Sequence, residues 1–236
     1  GAYDGTLIVG LDPSWCAPDG SPRLLRQMMG QTFPESLYDD DIWNDLPPFN
    51  PKTLQHARSQ LLALLGLRVR HPLRPDGYRD FTLTFRTDND LSSVRRRIYG
   101  EAPWLLQRTE GEGPPRLPEL DALADRLSRL PAETRKVAFV VPFHIHHQLR
   151  EDKEQQRFWS ACKAKAAEVL SQVPNAVVLD FMIPSPITTE DRNYVDAQHY
   201  TTSVAADIAR HLHSGAARPD ENAAEFRVLS YSGEHR

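Results

Sequence analysis

The segment from Lys136 to Gly215 constrains the fold more than any other part of the chain. It contains two apolar runs, "KVAFVV" and "NAVVLDF", separated by a helical pattern, "DKEQQRFWSACKAKAAEVLSQV". A loop and a second amphipathic pattern, "TTSVAADIARHLHSG", follow. Strands that are apolar on both faces and alternate with helices are typical of a parallel sheet covered by helices. The sequence therefore predicts an α/β fold with a mainly parallel sheet.

Composition excludes some classes of function. The chain has 236 residues and a net charge of −4, with acidic and basic residues interspersed, so it lacks the clustered basic excess of a nucleic-acid-binding protein. No apolar run reaches the ~20 residues of a membrane span, and no signal peptide precedes the first strand-like run, so we expect a soluble chain. The two cysteines, Cys16 and Cys162, match no zinc-binding spacing. Two unpaired buried thiols are the favoured interpretation and a single disulfide is the alternative, so the cysteines do not fix the redox compartment.

Candidate site residues follow from a rule for open parallel sheets. Functional side chains in such sheets lie just beyond the carboxyl ends of the strands. The first predicted strand is "TLIVGL", and the apolar runs "VAFVV" and "AVVL" are the next two. The residues predicted to line a cleft at this edge are Asp12, Ser14, Trp15, His144 and Asp180.

The loop after the third strand carries Asp196 and His199, three residues apart and just before the last predicted helix. A carboxylate beside an imidazole selects the ring tautomer and stabilises the imidazolium formed when the other nitrogen takes a proton. The structural alternative is a surface Asp and a half-buried His that cap the helix. Placed at the carboxyl edge of the sheet, the pair is the best candidate for the acid–base half of a catalytic triad, with His199 as the general base.

Two other chemistries are weaker. The run "HIHH" places His144 and His146 on one side of an extended segment, but no further ligand pattern completes a metal site, so no metal or cofactor is predicted. The more conservative interpretation is that His144 lines the cleft while His146 and His147 face solvent. No G-x-S-x-G serine block is present, and Cys16 is a less favoured candidate nucleophile.

The organisation predicted is one α/β domain over residues 1–215, with irregular insertions around 13–50 and 76–116. Residues 216–236 form a polar C-terminal tail, which includes a short strand-like run, "FRVLSY". Helices are predicted at "PKTLQHARSQLLALLGL", "LSSVRRRIYG" and "ELDALADRLSRL". The consecutive Arg95, Arg96 and Arg97 are interpreted as a solvated face.

The block "YVDAQHY" and its following helix resemble the last block of the SGNH (GDSL-like) hydrolase superfamily, in which an Asp and a His complete a Ser-His-Asp triad. More specifically, the chain resembles bacterial, membrane-anchored SGNH-like proteins, which are themselves distantly similar to alginate O-acetyltransferase-type domains. The stretches that carry this resemblance are "LIVGLDPSWC", "FPESLYDDDIWNDLPPFNPKTLQHA", "DGYRDF", "VAFVVPFH" and "LDFMIPSPITTEDRNYVDAQHY". The resemblance covers roughly residues 6–212. It implies a three-layer α/β/α fold, flavodoxin-like in type, that lacks its first strand in this chain.

The same resemblance implies that His199 is the general base and Asp196 its orienting carboxylate. The family's serine block and membrane helix precede any segment present here, and its Gly-x-Asn-Asp block reads Gly10-Leu11-Asp12-Pro13 in this sequence. We therefore expect the nucleophile to lie upstream, in a longer protein anchored in a bacterial cell envelope or periplasm.

Two functions remain open at this point. The first is an esterase or O-acyltransferase domain acting on acyl esters of an envelope glycan or lipid. The second is a non-catalytic SGNH-like module that binds a glycan or a protein, in which Trp15, Trp43 and Trp104 could stack on sugars.

Overall fold

The computed structural model describes residues 5–16, 54, 57–58, 61–62, 65–67, 90–100, 116–148, 152–214 and 224–232. The chain divides into two compact units, one of residues 22–87 and the other of residues 1–21 with 88–236. In the unit 22–87, the described residues at 54, 57–58 and 61–62 are helical, in agreement with the helix predicted there. Trp43, Trp104 and most of the predicted insertions lie outside the described residues.

The sheet belongs to the unit that contains the chain's two ends, and its described strands run in the order β1-β2-β3-β4. The first three strands are parallel, and the fourth is antiparallel to the third. The strands are β1 (Thr6–Leu11), β2 (Arg135–Val140), β3 (Ala176–Asp180) and β4 (Arg227–Tyr231). The prediction of an α/β fold with a mainly parallel sheet is confirmed.

The helices occur where the amphipathic patterns predict them, with one short addition in the loop after β3. They are α1 (Leu91–Gly100), α2 (Pro118–Ser128), α3 (Lys153–Ser171), α4 (Pro186–Thr189) and α5 (Thr202–Ser214). Among the described helices, none has both the length and the apolar character needed to cross a membrane.

Local sequence explains where the helices begin. The Asp152 side chain accepts hydrogen bonds from the backbone N–H groups of Glu154 and Gln155, both at 3.0 Å, and so satisfies donors that the first turn of α3 leaves open. Helix α2 begins at Pro118, a position where the missing N–H of proline has no cost. These signals are local, which is why the sequence alone could predict both helices.

Two buried clusters lie on opposite faces of the sheet because successive strand residues point to opposite sides. On one face, Ala138 and Val178 pack in a cluster with side chains of α2 and α3. On the other face, Val137 and Leu179 pack in a cluster with side chains of α5. Helices therefore cover both faces of the described sheet. Full burial of one aliphatic side chain contributes about 1.5–3 kcal/mol, so these clusters hold the layers together.

The cysteines are not free thiols. Cys16 and Cys162 form a disulfide with 5.7 Å between their Cα atoms, and both residues are buried. The favoured interpretation of two unpaired thiols is wrong, and the alternative of a single disulfide is correct. Cys16 in the disulfide is also excluded as a nucleophile. The bond joins the turn Pro13–Cys16, directly after β1, to the middle of α3.

Strand β4 lies within the range 216–236 that the sequence presents as a polar tail. It coincides with the strand-like run "FRVLSY" and pairs with β3 over Val177–Asp180. The domain boundary at 215 stays a prediction, but part of the segment beyond it belongs to the sheet.

Candidate active site

The carboxyl ends of the three parallel strands meet at one edge of the sheet. In the register, Leu11 of β1 is opposite Val140 of β2, and Val140 is opposite Asp180 of β3. Hydrogen bonds continue one step further, from the Val141 N–H to the Leu11 carbonyl at 3.1 Å and from the Phe181 N–H to the Val140 carbonyl at 3.2 Å. The segments that follow the three strands therefore begin side by side.

Asp196 and His199 are in direct contact. The His199 Nδ1 atom lies 2.8 Å from each of the two carboxylate oxygens of Asp196. An imidazole nitrogen in contact with a carboxylate carries a proton, so in the neutral ring Nε2 is the basic nitrogen. The His199 side chain is 71% exposed, whereas that of Asp196 is 13% exposed. The pair thus has an inner carboxylate and an outer imidazole, an arrangement that lets the imidazole meet a substrate.

The loop also holds the Asp196 carboxylate in place. Its Oδ1 atom accepts hydrogen bonds from the backbone N–H groups of Gln198, at 2.9 Å, and of His199, at 2.8 Å. Burial raises the pKa of Asp196, but the hydrogen bonds from the His199 ring and the Gln198 backbone outweigh it, and the net pKa lies below the ordinary value. Asp196 is therefore ionised at neutral pH and stabilises a proton on the His199 ring.

Short backbone pairings give the loop a fixed shape. Tyr194 and Tyr200 form an antiparallel bridge, and the Val195 N–H donates to the His199 carbonyl at 2.8 Å. The Thr201 N–H donates to the Asn193 carbonyl, also at 2.8 Å, directly before α5 begins. Asp196 and His199 therefore lie on a closed loop whose two ends are joined by backbone hydrogen bonds. The spacing of the two residues in the sequence alone could not show this.

The residue His144 is in the interior, with 1% of its surface exposed. Its backbone N–H donates to the Ala197 carbonyl at 2.9 Å, so the segment after β2 lies directly against the loop that carries Asp196 and His199. Because the His144 side chain is buried, its position does not support the prediction that its ring lines a cleft. His147 was expected to face solvent but is buried, and this expectation is wrong; His146 is exposed, as expected.

Asp180 is also buried, but it has its own partner. Its carboxylate lies 2.8 Å from the Lys163 ammonium of α3, which also donates to the Met182 carbonyl at 2.9 Å. The backbone N–H of Met182 donates to the other carboxylate oxygen at 2.9 Å. Burial raises the pKa of Asp180 although the nearby Lys163 acts in the opposite direction. These contacts favour a structural ion pair at the end of β3 over a role in lining a cleft.

The three candidates after β1 lie on or beside the turn Pro13–Cys16. Asp12 is half-buried, and its carbonyl accepts a hydrogen bond from the Trp15 N–H at 3.2 Å. Trp15 is half-buried and packs against the core cluster that includes α2 and α3. The Ser14 side chain lies outside the described residues.

Helix α1 contributes contacts that the sequence did not predict. Arg95 donates from Nε to an Asp191 carboxylate oxygen at 2.6 Å, and the Tyr99 hydroxyl donates to the other oxygen at 2.9 Å. Arg97 donates from Nε to the Val195 carbonyl at 2.7 Å. The interpretation of the arginine run as a merely solvated face is therefore incomplete. No local signal links α1 to a loop that is 96 residues away, as in the Arg95–Asp191 pair.

Within the described ranges, no three His, Cys, Asp or Glu side chains are grouped as a metal site requires. Comparison of the chain with protein-family models, with the curated proteins and with the solved structures finds no match.

Proposed function

We propose that this protein is an SGNH-type esterase or O-acyltransferase that acts on acyl esters of a cell-envelope glycan or lipid. The proposal depends on one observation. Nδ1 of His199 lies 2.8 Å from both carboxylate oxygens of Asp196, and the two residues are on a closed loop at the carboxyl edge of a parallel sheet. This is the acid–base half of a Ser-His-Asp arrangement, in which Nε2 of His199 is the basic nitrogen.

The nucleophile in this proposal is a serine outside the 236 residues, as the family resemblance implies. Its hydroxyl oxygen attacks the ester carbonyl carbon while its proton passes to His199 Nε2. The imidazolium, stabilised by Asp196, then gives the proton to the departing alcohol oxygen, and an acyl-enzyme remains. Water or a sugar hydroxyl, deprotonated by the same nitrogen, then attacks the acyl carbon, the acyl–serine bond breaks, and the imidazolium returns the proton to the serine oxygen.

The finer fold, SGNH-like and completed by a further strand, is part of the same proposal. Ile8 of β1 is 49% exposed, although Val137, its neighbour in the register, is fully buried in the cluster that includes α5. Apolar strand residues of a parallel sheet are ordinarily covered on both faces. The uncovered Ile8 supports an additional strand and helix beside β1, such as the resemblance implies.

The disulfide supports a location in the periplasm or the cell envelope. Disulfides persist in oxidising compartments and are rare where thiols are kept reduced. Cys16 and Cys162 are buried in the core, so their bond serves structure rather than exchange. We include in the proposal the membrane anchor that the family resemblance implies for the full-length protein.

Labelling of the full-length protein with a fluorophosphonate probe, together with an ester-hydrolysis assay, tests the proposal. We expect labelling and turnover in the wild type and the loss of both in His199→Ala, because the serine then lacks its base. The matched control is His213→Ala, an exposed histidine on α5, which should keep both activities. Absence of labelling in the wild type would refute the enzyme, and glycan binding in that case would favour the non-catalytic module.

A further inference from the structure

The buried His144 contacts the loop of Asp196 and His199 at two separate points. Its backbone N–H donates to the Ala197 carbonyl at 2.9 Å. Its ring Nε2 lies 3.2 Å from a carboxylate oxygen of Asp191, near the start of the same loop. One residue therefore contacts the loop on both sides of the turn, with Asp196 between the two contacts in sequence.

The ring of His144 has a defined tautomer. The His146 N–H donates to its Nδ1 at 3.2 Å, so Nδ1 is the acceptor and the ring proton is on Nε2, facing Asp191. Although Nε2 is only 3.2 Å from the carboxylate, it makes no well-formed hydrogen bond among the described residues. The contact of His144 Nε2 with the Asp191 carboxylate is therefore electrostatic in character.

The surroundings keep this ring neutral. Burial lowers the pKa of His144, against the opposing effect of the Asp191 carboxylate. Two tyrosine rings lie nearly perpendicular to the imidazole, with centroids 5.2 Å away for Tyr194 and 5.9 Å away for Tyr99. Among the described residues, the titratable and charged groups around the ring come from three segments: Asp191 and Tyr194 from the loop, Tyr99 and, through Asp191, Arg95 from α1, and His146 and His147 from its own turn.

We propose that His144 is a positioning residue for the Asp196–His199 pair, acting through the contact of its Nε2–H with Asp191 and its backbone bond to Ala197. Asp191 is fixed from the other side by Arg95 and Tyr99, so the loop is held between α1 and the segment after β2. The catalytic meaning of this role rests on the proposed function, whereas the positioning itself does not.

Three substitutions of His144 test the contributions of Nε2, Nδ1 and the aromatic ring separately. All three keep the backbone hydrogen bond to Ala197. His144→Gln places an amide N–H where Nε2–H lies, so it should preserve the contact with Asp191. His144→Asn offers an acceptor where Nδ1 lies but does not reach Asp191. His144→Phe keeps an aromatic ring between the two tyrosines and removes both nitrogens.

The readout is the NMR spectrum of ¹⁵N-histidine-labelled protein, in which the low-field Nδ1 proton of His199 reports its hydrogen bond to Asp196. We expect the wild-type signal and the wild-type titration of the His199 ring in His144→Gln, and loss or displacement of both in His144→Asn and His144→Phe. In the full-length protein, kcat should fall about 100-fold in the latter two, the usual effect of a misplaced catalytic group. His213→Gln is the matched control, and thermal unfolding shows that each variant is folded.

An unchanged His199 signal in folded His144→Phe overturns the positioning role, whatever the activity. If His144→Phe does not fold, the comparison of His144→Gln with His144→Asn decides, and identical spectra overturn the proposal. Asp191→Asn tests the same contact from the loop side and should displace the His199 signal as well. A wild type without esterase activity whose His199 signal still responds to these variants would refute the function and leave the positioning role intact.

Discussion

Opening the Cys16–Cys162 bond is expected to lower the free energy of unfolding by about 5 kcal/mol. The bond closes a loop of 146 residues, and the chain entropy that such a cross-link removes from the unfolded state corresponds to about 5 kcal/mol at room temperature. Reduction without mutation isolates this effect because the two thiols keep their packing. With a urea m-value of about 3 kcal/mol/M, the unfolding midpoint should fall by about 1.5–2 M.

The assay is equilibrium urea unfolding, followed by tryptophan fluorescence, with and without dithiothreitol. The double variant Cys16→Ala/Cys162→Ala is the matched control: it should unfold near the reduced wild type and show no response to the reductant. Equal midpoints for the oxidised and reduced wild type would refute the reasoning. So would the titration of two free thiols in unfolded protein that has never been reduced.

Three further outcomes are expected. Asp196→Asn in the full-length protein should lower kcat by about 10⁴-fold by leaving His199 in the wrong tautomer, and a loss below tenfold in the esterase assay would contradict the triad role. The stability that the neutral His144 ring contributes should be fully present above the ordinary histidine pKa of 6.5 and should be lost as the pH falls toward its lowered folded-state pKa. The urea midpoint of His144→Gln should therefore fall less steeply with decreasing pH than that of the wild type. Lys163→Met should cost about 3 kcal/mol because it leaves the Asp180 carboxylate buried without its partner, and adding Asp180→Asn should restore part of that loss; additive effects in urea unfolding would argue against the ion pair.

The strands and helices around the site could be predicted because their signals are local. The runs at β2 and β3 are short, β-branched and apolar, and the α3 pattern begins at an Asp that caps its first turn. That the loop carrying Asp196 and His199 begins at the carboxyl edge could also be predicted, because the topology of a parallel sheet fixes where a loop after β3 begins.

The contacts between distant segments could not be predicted. Cys16 and Cys162 carry no spacing signal, and only the packing of α3 against the turn after β1 brings them together. Asp180 was predicted to line a cleft because it ends a strand, but nothing in the sequence indicated its partner, Lys163, which lies on the preceding helix, seventeen positions earlier. Asp191, near the start of the loop, is held by contacts with α1. The sequence of α1 shows a run of arginines but does not indicate which residue they contact.

Two neighbouring residues of α3 attach it to two different strand ends. Cys162 is bonded to Cys16 after β1, and Lys163 contacts Asp180 at the end of β3. Adjacent side chains on a helix point about 100° apart, so these two attachments fix the rotation of α3 about its own axis at that position. Inserting or deleting one residue between Trp159 and Cys162 would turn the buried Trp159 out of the core, and the same change between Lys163 and Leu170 would turn out Leu170. A homologous chain of different length should therefore carry the difference in the connections and not within the helix α3.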